Sequence, residues 1–133
     1  MSSYSDNTTV WDVITTFQKW HAVYPNNFVL EIHELNKANS TFAGTYVDNL
    51  YSHVYEYPLQ GQYDPKGITI GWIVTTKILD DVTHEYYYTI QVWAGYLSCI
   101  TIGLKSQWTL TTNRYMIDQE YKETTVLDEF RPE

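Results

Sequence analysis

The sequence predicts an all-β domain, a sandwich or a barrel. Three observations carry that expectation. Most of the chain falls into about eight short segments in which apolar and polar residues alternate with a period of two, the geometry of a half-buried strand. Aromatic residues make up 17% of the chain, 13 Tyr and 5 Trp among them, and Val, Ile and Thr are frequent too, a set that fits a pleated surface. Turn-forming clusters separate most of the segments, as in a sandwich or barrel. At 133 residues the chain is long enough for one domain with its own core.

Residues 1–15 read as an N-terminal extension (helix, strand or tail) ahead of a domain at 16–133. Val10, Val13, Ile14 and Phe17 fit a helical stripe that Thr8 or Thr9 would cap; the same residues could lead into a first strand ending near Trp20. "YPNN" at 24–27 turns the chain. "FVLEIHEL" then alternates, with Phe28, Leu30 and Ile32 opposite Glu31 and His33. "TFAGTYV" aligns Phe42, Gly44 and Tyr46. "VYEYPLQGQ" is a fourth strand that tolerates Pro58 only at an edge or bulge. After the turn "YDPKG", "ITIGWIVTTK" sets Ile68, Ile70, Trp72, Val74 and Thr76 against Thr69, Gly71, Ile73, Thr75 and Lys77. "HEYYYTIQVWAGY" puts Tyr87, Thr89, Gln91 and Trp93 on one face. A hairpin follows, expected near Ser98. "LKSQWTLTT" aligns Ser106, Trp108, Leu110 and Thr112; "NRYMIDQE" reads as irregular, and a last strand lies near 121–130.

Several strands are apolar on both faces. Ile90 and Val92 oppose Gln91 and Trp93, and Ile73 opposes Trp72 and Val74. An outer face of that kind is expected to be covered by another subunit, with Ile73, Ile90, Val92 and Val126 in the contacts.

Charge and composition narrow the function classes. The net charge of −8 argues against nucleic acid or anionic membranes as partners, because phosphate binding needs a basic footprint. The single Cys, Cys99, excludes an internal disulfide and a cysteine-rich zinc site. His21, His53 and His84 show no i, i+4 metal-ligand spacing and no metal or cofactor is expected, while His33, opposite the apolar face, is expected at solvent or at a subunit contact. The start of the chain has no basic and apolar leader pattern, and no run approaches the ~18 apolar residues that span a membrane, which makes a cytoplasmic protein the expectation. Tyr and Trp join an apolar body to a polar handle and suit a cavity or an interface.

Taken in order, "AGTYVDN", "YEYPLQGQYD", "GWIVTTK", "WAGY", "QWTLTT" and "YKETTVLDEF" resemble the avidin and streptavidin family, over nearly the whole chain from about Trp20 to Phe130. The "YPL-G-Y" form is most similar to fungal avidins. The resemblance implies an eight-stranded antiparallel up-and-down β-barrel, closed so that no edge is free. It also implies a homo-oligomer, by family habit a tetramer, and a small organic ligand in the barrel mouth, biotin or a biotin-like molecule. By the same resemblance Trp108 and Leu110 stand where the barrel floor touches biotin, and Trp93 stands at another pocket Trp. Tyr46 matches a donor to the ureido oxygen, and Asp128 an acceptor from a ureido N–H. Trp72 matches a structural aromatic beneath the pocket.

The chain departs from the pattern where chemistry is concentrated. His21 and Ala22 replace the Asn that follows the first-strand Trp. Asn26 or Asn27 replaces a loop Ser, and Asp48 a Ser on strand three. Thr76 replaces a wall Trp, Gln91 a Thr that faces biotin's sulfur, and Tyr121 the Trp lent by a neighbouring subunit. Thr89 shares the face of Gln91 and Trp93 and joins the candidate set. Asp48 beside Asp128 would crowd two carboxylates at one ligand edge, and a lost wall Trp removes apolar contact, so biotin binding is expected to be weak. The alternative is an enzyme of cyclase or isomerase type, with Asp48, Asp128 and Tyr46 as acid and base in an aromatic cup.

Overall fold

The structure, a computed structural model, describes residues 8–23, 27–50, 53–118 and 120–133. A short helix, α1 (Val10–Thr16), precedes eight strands: β1 (Lys19–Ala22), β2 (Phe28–Asn36), β3 (Thr41–Leu50), β4 (His53–Tyr63), β5 (Thr69–Leu79), β6 (Tyr86–Ile102), β7 (Lys105–Ile117) and β8 (Glu123–Pro132). The strands close into a barrel in chain order, and β8 returns antiparallel to β1 through Trp20↔Pro132 and Ala22↔Phe130. Of the two architectures open to the period-two pattern, the barrel is the one formed.

The N-terminal stripe is a helix because its cap holds. Thr9 has extended backbone, its hydroxyl accepts from the Asp12 N–H, and the Asp12 carboxylate accepts from the Thr9 N–H at 3.0 Å, a reciprocal capping box. The Thr9 N–H and the Thr9 hydroxyl both donate to Asp12 Oδ2 at 3.0 Å, and these two hydrogen bonds hold the Asp12 carboxyl below its ordinary value. Val10, Val13 and Ile14 are buried in the common core. The Val10 N–H donates to the Gly67 carbonyl at 2.8 Å, and Trp11 stacks on Tyr63 with ring centres 5.6 Å apart. The helix therefore sits at the barrel end that carries the β2–β3, β4–β5 and β6–β7 turns. The opposite end carries the β1–β2, β3–β4, β5–β6 and β7–β8 connections.

Strand parity matches the sequence reading in its main points. Leu30, Tyr46, Leu59, Trp72, Trp93, Leu110 and Phe130 are buried inside. Gly44 lies opposite a bulge in β2 between Ile32 and Glu34, where a Cβ would run into the Glu31 carbonyl, so only glycine fits. Pro58 pairs with Thr45 of β3, while the β4–β5 ladder begins only at Leu59; its missing N–H costs nothing at this locally free edge.

Three expectations are corrected. The β6–β7 hairpin turns at Gly103 and Leu104, not near Ser98, and β6 runs on to Ile102. Gly103 has φ +63°, the left-handed conformation that a two-residue hairpin turn requires. "NRYMI" is not irregular: β7 continues through it in register with β8, pairing Arg114 with Val126 and Tyr115 with Thr125. Val126 consequently shares the inner face with Arg114 and Asp128 and does not belong to the outer one.

Ile73, Ile90 and Val92 face outward, as the alternation requires, and are exposed. Ile73, Val92 and Tyr115 form one row across β5, β6 and β7. Among the described residues no helix is long and apolar enough to cross a membrane.

Candidate functional site

The site is built from the inner faces of five strands. β8 carries Asp128, whose side chain is fully buried between Trp93 of β6 and Arg114 of β7. Trp93 Nε1–H donates to Asp128 Oδ2 at 3.1 Å, and Arg114 Nε lies 3.1 Å from the same oxygen. The Arg114 contact is an ion pair; its Nε–H is not aimed well enough at the oxygen to count as a hydrogen bond. The guanidinium carbon of Arg114 lies 4.9 Å from the Phe28 ring centre and 5.8 Å from that of Trp93, so aromatic faces of β2 and β6 both see the cation.

Tyr46 of β3 is buried against Phe28 and Trp93, each ring centre 5.2 Å from its own. An aromatic ladder continues in both directions. Trp72, the register partner of Trp93 on β5, stacks on it at 5.8 Å. Tyr57 and then Tyr55 follow at 6.5 Å steps toward the β3–β4 connection.

The titrating groups are shifted together. Burial pushes the Asp128 carboxyl up, while Arg114 and the Trp93 N–H pull it back. Burial also raises Asp48, again opposed by Arg114. Tyr46 is pushed well above the ordinary phenol value by burial and then by the charge of Asp48. At neutral pH it is a hydroxyl donor and never a phenolate. These shared influences put Tyr46, Asp48, Arg114 and Asp128 in one electrostatic cluster.

Other candidates fall around this cluster. The Gln91 Oε1 is buried with no hydrogen-bond partner. The Thr76 and Thr89 hydroxyls bond each other across β5 and β6, so both are satisfied within the protein. Leu110 is buried opposite Phe130. Trp108 is half-buried against the core. Its strand position is four residues, about 13 Å, toward the α1 end from Thr112, which faces Asp128. Tyr121 is 89% exposed in the β7–β8 connection with φ +61° and touches none of these groups in its own barrel. Asn26 lies outside the described residues.

Arg114 is the member of this cluster that the sequence reading missed. Extending the parity of Trp108, Leu110 and Thr112 by one step would have placed it inside. Ending the strand at Thr112 hid it.

A broad open concavity of about 1630 Å³ lies elsewhere, along β2–β6. Outward and small residues such as Ala43, Gly71, Ile73 and Val92 line it, with Trp72 and Trp93 behind, and none of Tyr46, Asp48, Arg114 or Asp128 does. The convergent polar chemistry is inside the barrel, so that is the candidate site. No group of three or more His, Cys, Asp or Glu among the described residues is placed to hold a metal ion.

The chain matches no protein-family model and no curated protein sequence. Solved structures do resemble it. Apo shwanavidin superposes with a TM-score of 0.61 at 20% identity, over 86% of this chain and 96% of its own. Short afifavidin in complex with biotin gives 0.61 at 20% identity, over 87% of each chain. Rhizavidin gives 0.58 at 17% identity, over 87% and 81%. All three are avidin-family proteins, in line with the motifs read in the sequence. At these identities the likeness establishes the fold: this chain is an eight-stranded barrel of the avidin type.

Proposed function

We propose that the barrel binds a small organic molecule whose flat, N–H-rich head enters the polar chamber at the end opposite α1, with biotin a weak example of the class. The observation that carries this reading is the buried Asp128 carboxylate held between Trp93 and Arg114. Buried charge is costly, and a barrel built only for stability would be served as well by apolar residues there. Acceptors outnumber cations in the chamber. Asp48, Asp128 and the unpartnered Gln91 oxygen face a single Arg, with Tyr46 as a hydroxyl donor. An apolar aromatic cup with a few convergent polar groups is how small-molecule sites are generally made. That the structurally similar short afifavidin is described as a biotin complex supports the ligand class. Thr76 in place of an aromatic wall and the occupied Oδ2 of Asp128 both argue for an affinity far below that of a purpose-built biotin site. Titration calorimetry with biotin tests the reading: a dissociation constant between about 1 µM and 1 mM supports it. No heat at millimolar ligand, together with unchanged Trp fluorescence, contradicts it.

We infer in addition that copies of the chain associate through the outer faces of β5–β7. Ile73, Val92 and Tyr115 leave a continuous apolar row exposed there, with Ile90 on the same face. Whether two or four copies join is a matter for light scattering, where a single-chain mass would contradict the inference.

The raised carboxyl of Asp48 favours a second reading, acid–base catalysis of a cyclisation or isomerisation in the same chamber, with Asp128 and Tyr46 alongside it. Asp48→Asn separates the two: loss of turnover with ligand affinity intact supports catalysis, and loss of affinity supports binding alone.

A further inference from the structure

We propose that Arg114 is an internal occupant of the chamber and the residue that sets what the chamber accepts, an inference that rests on the small-ligand reading above. Its guanidinium is planar and presents N–H donors along its edge, the same features that the head of a cyclic urea presents. It lies against the faces of Phe28 and Trp93, where a flat ligand head would lie. It also takes the acceptor that such a head needs, because its Nε is 3.1 Å from Oδ2 of Asp128, the atom that already accepts from Trp93. One carboxylate oxygen therefore serves two groups of the protein before any ligand arrives.

The contact is strong electrostatically and loose geometrically. The Arg114 Nε–H is buried and has no aligned hydrogen bond. A side chain held by charge without a fixed hydrogen bond can be displaced by a donor that aligns better. Phe28 and the electrostatically coupled Asp48 offer the displaced guanidinium other partners near at hand. Binding of a flat N–H donor thus competes with the protein's own cation. The apparent affinity is set by the fraction of molecules in which Arg114 has left Asp128.

The test is calorimetric titration of the full chain and of Arg114→Ala with biotin, and in parallel with 2-imidazolidinone, the bare cyclic urea. Removing the occupant should raise affinity by roughly 10- to 100-fold for both probes. Adding Asp128→Asn to Arg114→Ala should abolish the gain. Affinity that is equal or lower in a folded Arg114→Ala overturns the inference and leaves the ligand reading standing. Absence of binding by parent and variant alike overturns the ligand reading itself, and the inference falls with it. Should Arg114→Ala fail to fold, hydrogen exchange of the Arg114 Nε–H in the intact chain decides. Exchange much slower than in free arginine supports a seated guanidinium, and exchange at the free rate overturns it.

Discussion

Arg114 and Asp128 pair inside the barrel with their side chains 10% and 0% exposed and 3.1 Å between Nε and Oδ2. Two residues on adjacent strands, Arg114 opposite Val126 and Asp128 two places further along β8, thereby bring opposite charges together where water is scarce. Breaking one side of such a pair leaves an uncompensated buried charge. Arg114→Met, which leaves the buried carboxylate without its cation, should destabilise the fold at neutral pH by about 3–5 kcal/mol in urea unfolding. A change of under about 1 kcal/mol would mean that Arg114 reaches solvent as easily as a surface side chain.

The raised carboxyls give stability a definite pH slope. Asp48 and Asp128 keep their protons to higher pH in the folded state than in the unfolded chain. The folded state therefore binds more protons in the window between the ordinary carboxylate value and the raised ones, and stability falls as pH rises through that window. Asp12 acts in the opposite sense, and only below the ordinary value, since its carboxyl is lowered. The melting temperature of the parent should rise as pH is lowered from neutral into this window. Asp48→Asn should flatten part of that rise. A parent whose melting temperature falls steadily over the same range contradicts the assignment.

Helix α1 acts as the lid of one barrel end. Ile14 is fully buried in the common core, so Ile14→Ala should cost about 2–5 kcal/mol. The Thr9 cap is exposed, and Thr9→Ala should cost only about 0.5–2 kcal/mol. Unfolding curves of the two variants check the order. Equal and small losses would mean that α1 is an appendage and not part of the core.

Assembly through the outer faces makes a prediction at one residue. Val92 sits between Ile73 and Tyr115 in the exposed row. Val92→Arg should convert an oligomeric parent into single chains at tens of micromolar, an order of magnitude suited to a stable interface. Light scattering checks it, and a parent already of single-chain mass refutes it.

Much of this was legible in the sequence, and the exceptions have physical reasons. Period-two alternation fixed which way Trp72, Trp93 and Tyr46 point, because a strand leaves each side chain only two directions. The β6–β7 turn was misplaced because "AGYLSCITIGLKSQ" carries no strong turn signal; the backbone turns where Gly103 supplies a left-handed φ. Arg114 was missed because "NRYMIDQE" reads as irregular, which ends the strand at Thr112. Only its partner on β8, 14 positions later in sequence, makes an inward Arg tolerable. The Thr76–Thr89 pairing and the unpartnered Gln91 oxygen depend on cross-strand geometry that single-strand patterns do not encode.

The central claim, that the chamber around Asp128 receives a small ligand, is tested most directly at the Trp93 indole. Its N–H donates to Asp128, whereas that of Trp20 donates to the Phe17 carbonyl near the α1 end. In a ¹⁵N-resolved NMR titration with biotin, the Trp93 indole resonance should shift saturably, and the Trp20 resonance should stay in place. A Trp93 resonance that remains unmoved at millimolar biotin, while the barrel stays folded, would contradict the account.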